Sequence, residues 1–95
     1  MIYVDPLMSC VPTARWRFNE ACHLMCDPGR LEQLDAFAAK LGMKRSWFQN
    51  KPGRTPHYDL SPGMRQMAVR HGAVEIDRNR CAEIIRAWRE QDRKS

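Results

Sequence analysis

The stretch "HYDL", residues 57–60, places an imidazole and a carboxylate two positions apart. In an extended segment side chains alternate, so His57 and Asp59 share one face and Tyr58 takes the other. A carboxylate so placed accepts a hydrogen bond from the imidazole, fixes its tautomer and raises its pKa. Such a pair serves as a general acid/base or contacts a phosphate. His23 is a polar ring inside the apolar run "ACHLMC", residues 21–26. His57, Asp59 and His23 are therefore the expected catalytic group. With His23 nearby the pair also has the make-up of a His/carboxylate metal site, although no metal ligand is assigned from sequence. A plainer reading competes for each residue. Asp59 helps the turn into a following helix, His57 is exposed, and His23 is bonded to backbone.

The expected ligand-binding residues are Asp5, Arg45, Trp47, Gln49 and Tyr58. Asp5 closes the run "IYVD", and in open α/β sheets ligands bind beyond strand ends. At least one of Trp47 and Phe48 is expected in the core, leaving the other to line a pocket and stack on a base or ring. Lys44, Arg45, Lys51 and Arg54 bracket the loop "NKPGRTP" and are placed to meet phosphates. Trp47–Gln49 and His57–Asp59 then form two walls of one pocket, with this loop as its rim.

Cys22, His23 and Cys26 invite a zinc reading, but the spacing is C-H-x-x-C. In a strand Cys22 and Cys26 lie about 13 Å apart, too far to share an ion whose ligands sit ~2 Å away. Structural zinc is not expected, any other cofactor is unknown, and the cysteines read as small core hydrophobes. Phosphate-binding glycine motifs, the serine-hydrolase elbow and H-E-x-x-H are absent from the sequence.

These residues need a scaffold. The 95 residues suit one domain, 1–95, of which 43% are hydrophobic and 28% charged. "IYV" reads as a strand ended by Asp5-Pro6, and residues 5–19 as a long loop with Trp16 and Phe18 as anchors. Asp27-Pro28 predicts a capped helix running to Leu41, with Leu31, Leu34, Ala38 and Leu41 facing inward and Gly42 ending it. Ser61-Pro62 predicts a second helix with Met64, Met67, Ala68 and His71 inward, closed by Gly72. A third helix over about 78–93, capped by Asp77 or Asn79, buries Cys81, Ile84, Ile85 and Trp88. It carries Arg86, Arg89 and Arg93 on one flank as a basic surface.

Strands are expected near 2–5, 21–26, 56–60 and 73–76, with 44–48 as another. Alternation of strands and helices predicts an α/β domain: a short, mostly parallel sheet of about four strands with three helices. The rival is an α+β arrangement.

The order "IYVD", "CHLM", a capped helix ending "LG", "R-x-WFQ", "HYDL" and "GAVEI" resembles an uncharacterised bacterial and bacteriophage family, domain of unknown function 4031. The resemblance covers about residues 2–76 and leaves out the basic C-terminal helix. It implies phage or prophage origin and supplies no activity. That family often has a second Asp after Asp5; here Pro6 stands there, which counts against a two-carboxylate metal site.

A formal net charge of +5 suits a phosphate-bearing partner. No apolar run reaches the ~20 residues of a membrane span and no secretion signal opens the chain, so a cytoplasmic location is expected. The leading functional expectation is a pocket for a phosphate-containing ligand, a nucleotide or nucleic acid, with phosphoester hydrolysis as its chemistry. Two others stand beside it: a non-enzymatic phage protein that binds and inhibits a host protein, and nucleic-acid binding through the C-terminal helix.

Overall fold

β-Branched and aromatic residues make Ile2–Val4 the strand β1, and a short second strand, β2, follows at Met8–Ser9. Glu20–Cys26 is β3, Tyr58–Leu60 is β4 and Val74–Glu75 is β5. The helices are α1 at Leu31–Lys40, α2 at Pro62–Arg70 and α3 at Arg78–Lys94. The structure is a computed structural model and describes residues 1–94.

The five strands form one mixed sheet rather than a mostly parallel one of four. β3 pairs antiparallel with β1, β2 and β4, and among the described residues the one parallel pair is β1 with β5. One reversed strand explains the whole pattern, because β1, β2, β4 and β5 all run opposite to β3. A simple strand–helix–strand crossover from β3 would have delivered β4 parallel to it. Instead the chain doubles back between Gln49 and His57, which form an antiparallel bridge, so β4 enters from the other end. Residues 45–47 are a single 3-10 turn, not a strand.

Alternation along β3 sorts its side chains. Cys22 and Leu24 face the same way as their partners Leu60, Tyr58 and Val4. That side is closed by α1, whose Asp35 accepts a hydrogen bond from the Tyr58 hydroxyl at 2.9 Å. Leu24, Leu34, Leu60 and Val4 are fully buried there, each contributing about 1.5–3 kcal/mol relative to exposure. His23 and Met25 face the opposite side, with Tyr3. There α3 lies across the sheet: the Trp88 indole donates to the Cys26 carbonyl at 2.8 Å and Arg80 reaches the Tyr3 hydroxyl at 3.3 Å. Helices on both faces of the sheet make this an α/β fold.

Helix ends differ in how well their signals read. Ser61 caps α2 by accepting from Met64 N at 3.3 Å, with Pro62 opening the helix, and Asp77 caps α3 by accepting from Arg80 N at 2.8 Å. Asp27-Pro28 does not start α1. Gly29 has φ 85° and Arg30 N donates to the Asp27 carbonyl at 3.2 Å, closing a turn ahead of Leu31. The Asp27 carboxylate is engaged by the Tyr3 hydroxyl instead, at 2.9 Å. Along α2, Ala68 is buried with Met64 and Val69 packed beside it, whereas Met67 and His71 are exposed. Trp16 and Phe18 pack edge-on against each other, with centroids 5.3 Å apart, rather than into the core. Among the described residues no helix is long and apolar enough to cross a membrane.

Candidate functional site

Asp5 stands where the pairing of β1 with β3 breaks step. From the pair Val4–Leu24 of β1 to the pair Met8–Ala21 of β2 the chain advances four residues and β3 three. The extra residue makes a bulge, a device that re-aims a side chain. The Asp5 carbonyl accepts from Arg65 Nε at 3.0 Å. His23 N donates to the Asp5 side chain instead, to Oδ1 at 2.6 Å. The other oxygen, Oδ2, accepts from His23 Nδ1 at 2.8 Å. Asp5 is 5% exposed, and its buried carboxyl oxygens are met by the His23 amide and imidazole, with the Cys81 thiol 3.9 Å from Oδ2.

Across the sheet His23 pairs directly with Asp59, and one step beyond it His57 bridges Gln49. The two imidazoles meet edge to face with centroids 4.7 Å apart. His57 Nδ1 donates to the Thr55 carbonyl at 2.9 Å. Gln49 Nε2 donates to Asp59 Oδ2. The remaining atoms converge, with Asp59 Oδ1 lying 3.4 Å from His57 Nε2 and 3.9 Å from His23 Nε2. The hydrogen bond to Asp5 holds the His23 pKa above its ordinary value; partial burial opposes this. The neighbouring His57 ring holds the Asp59 carboxyl below its ordinary range; partial burial opposes it and the Gln49 bond adds to it.

His23 and His57 line a cleft of about 570 Å³ between the sheet and α3, within the size range of small-molecule sites. Its apolar wall includes Met25, Ile85 and Trp88, and its basic groups are Arg54 and Arg89. Gly53, Arg54 and Thr55 of the "NKPGRTP" loop form its rim.

Of the residues expected from sequence, the fold brings together Asp5, His23, Gln49, His57 and Asp59, and Arg89 of α3 lines the same cleft as Asp5, His23 and His57. It keeps three others away. Trp47 is 50% exposed, with the Lys44 ammonium 5.9 Å from its ring. Arg45 lies 3.5 Å from Asp35 and stacks on Phe48. Tyr58 belongs to the core side, its phenol pushed up to about 12 by burial and by the bond to Asp35. Arg86 and Arg93 are exposed on α3 and do not line the cleft. The Thr55 carbonyl, Met25 and Trp88 are parts of the site that sequence reasoning misses. A backbone carbonyl leaves no mark in a sequence, and the other two read as core because they are core.

The family described as "Protein of unknown function (DUF4031)" matches residues 2–88, and the chain belongs to it. The match extends past residue 76 through α3 as far as Trp88. No curated protein and no solved structure matches the chain.

Proposed function

We propose that this member of the family binds a phosphate-containing ligand, a nucleotide or a stretch of nucleic acid, in the cleft beneath α3 and hydrolyses its phosphoester. The observation that carries the reading is the convergence of His23, His57 and Asp59, of which His23 and His57 line a cleft that also holds Arg54 and Arg89 beside Asp5 and Asp92. Guanidinium groups pair with phosphate oxygens in two-pronged fashion, and Arg54 and Arg89 supply them. Met25, Ile85 and Trp88 give the apolar body of the ligand a surface to lie on. The attacking water is held at the acceptor-rich cluster. Its oxygen bonds to phosphorus, the ester P–O bond breaks, and its proton ends on the departing oxygen. A phage or prophage setting and a cytoplasmic location belong to this reading through the family resemblance and the composition.

Nucleic acid as the ligand draws support from α3 itself. Arg86 and Arg93 share a flank with Arg89, so a strand whose phosphoester entered the cleft would run along further positive charge.

The test is a thermal-shift screen of mononucleotides and short oligonucleotides, followed by phosphate-release assays on whatever binds. At ten times its dissociation constant a ligand adds about 1.4 kcal/mol, a rise of about 6–11 °C for a domain of this size. Arg89→Glu should abolish the rise. If no phosphate compound stabilises the protein at millimolar concentration, the proposal fails.

A further inference from the structure

We infer that His23, His57 and Asp59 form a binding site for a divalent first-row transition-metal ion. A carbonyl oxygen can only accept, so the hydrogen bond to Thr55 fixes the hydrogen of neutral His57 on Nδ1. The Asp5 carboxylate fixes that of His23 on Nδ1 in the same way. Both Nε2 atoms therefore present lone pairs. They face Asp59 Oδ1 at 3.4 and 3.9 Å, which is also an acceptor. While both rings are neutral, three acceptors confront one another and none of the three offers a hydrogen to another. A proton on one ring relieves one contact with Asp59 Oδ1, whereas a metal cation at their centre engages all three residues at once.

The geometry suits an ion. One donor atom from each residue lies within 4.8 Å of the others. Bonds of about 2.0–2.1 Å in a tetrahedral arrangement place ligand atoms about 3.4 Å apart, so small rotations of side chains complete the site. Each ligand is already held by a partner on its far side: Asp5 for His23, the Thr55 carbonyl for His57, Gln49 for Asp59. Metal-binding side chains are oriented in this manner. Two imidazoles and one carboxylate select zinc, manganese, iron or cobalt over calcium and magnesium, which take oxygen ligands. Three protein ligands leave positions open, as in catalytic rather than structural sites. The His23 and Asp59 side chains are 42% and 37% exposed, so solvent reaches the cluster, and His23 and His57 border the cleft.

The metal site coincides with the proposed ligand site and rests on that reading for its chemistry. The ion would hold and acidify the attacking water, and the three side chains would serve as its ligands rather than as proton acceptors. Metal binding itself is measured without any phosphate compound.

The experiment is titration of the chelator-treated protein with Co²⁺ and Zn²⁺, followed by calorimetry and by the visible spectrum of the Co²⁺ adduct. One ion per chain is expected, with no thiolate charge-transfer band. Asp59→Asn and His57→Ala should each weaken binding at least about ten-fold, and Asp5→Asn by about ten- to a hundred-fold. Circular dichroism establishes that the variants are folded; should His57→Ala unfold, the near-isosteric Asp59→Asn decides. Absence of binding, binding that survives Asp59→Asn, or a thiolate band pointing to Cys81 or Cys10 would overturn the metal site. Loss of metal binding alone leaves the phosphate reading intact. Metal binding with no phosphate ligand overturns that reading and not this one.

Discussion

Replacing Asp5 by Asn keeps the shape of the side chain and exchanges one acceptor oxygen for a donor. Asp5 now accepts twice from His23, from the backbone N–H at 2.6 Å and from Nδ1 at 2.8 Å. The backbone hydrogen cannot move, so the amide oxygen of the variant must face it. The amide nitrogen then meets Nδ1–H, donor against donor. Relief comes when the imidazole carries its hydrogen on Nε2 and accepts through Nδ1. Asp5→Asn is thus expected to invert the His23 tautomer and to put a hydrogen on the atom that faces Asp59. Charge-assisted bonds contribute about 1.5–3 kcal/mol and neutral ones about 0.5–1.5. The variant should lose about 1–2 kcal/mol, a fall in Tm of about 4–16 °C. The pH dependence has a definite sign. The folded-state pKa of His23 is raised above 6.5, first by its bond to Asp5. That contribution is complete below 6.5 and fades as pH rises through the folded value, so the deficit of the variant should be largest in mild acid and shrink in mild alkali. Nitrogen-resolved NMR of the imidazoles reads the tautomer, and urea unfolding at several pH values reads the stability. If His23 of the variant still carries its hydrogen on Nδ1, and the variant unfolds within about 0.5 kcal/mol of the parent, then Asp5 does not set the His23 tautomer.

Trp88→Phe should cost about 1–3 kcal/mol, because it leaves the buried Cys26 carbonyl without its donor; an unchanged urea midpoint would contradict this. In alkaline titration followed by tyrosinate absorbance, Tyr58 should ionise only near its value of about 12. Its contribution to stability, present below the unfolded value of 10.0, should then vanish as pH climbs between the two. Arg89→Glu should lower affinity for a nucleic-acid ligand and reduce the salt slope by about one for each phosphate no longer neutralised, whereas Trp47→Ala, outside the cleft, should alter neither.

Local chemistry was legible in the sequence where one short segment determines the outcome. Alternation puts His57 and Asp59 on one face and Tyr58 on the other, and Ser61-Pro62 announces α2. The stripe Ile84–Trp88 announces the buried side of α3. What could not be read depends on distant partners. The direction of β4 hinges on the reversal between Gln49 and His57, and nothing in "NKPGRTP" says that it doubles back rather than continues. β2 exists because β3 extends past the bulge at Asp5 and offers it an edge; "MS" alone carries no strand signal. Asp27-Pro28 looks like a helix cap, yet Tyr3, 24 residues away, engages the carboxylate. Trp47 is misread for a related reason. An aromatic pair tells that one ring is buried, and only the packing of Phe48 on Tyr58, with centroids 5.2 Å apart, tells which.

β3 serves two layers with seven consecutive residues. Cys22 and Leu24 feed the hydrophobic interior while His23 between them feeds the cleft. Deleting or inserting one residue before His23 would exchange those assignments, driving an imidazole into the core and a leucine to the site. Assembly of the cleft is thereby tied to correct pairing of the central strand. A misaligned chain would lose its interior and its cluster in the same event, and partly folded forms with a working site should not accumulate.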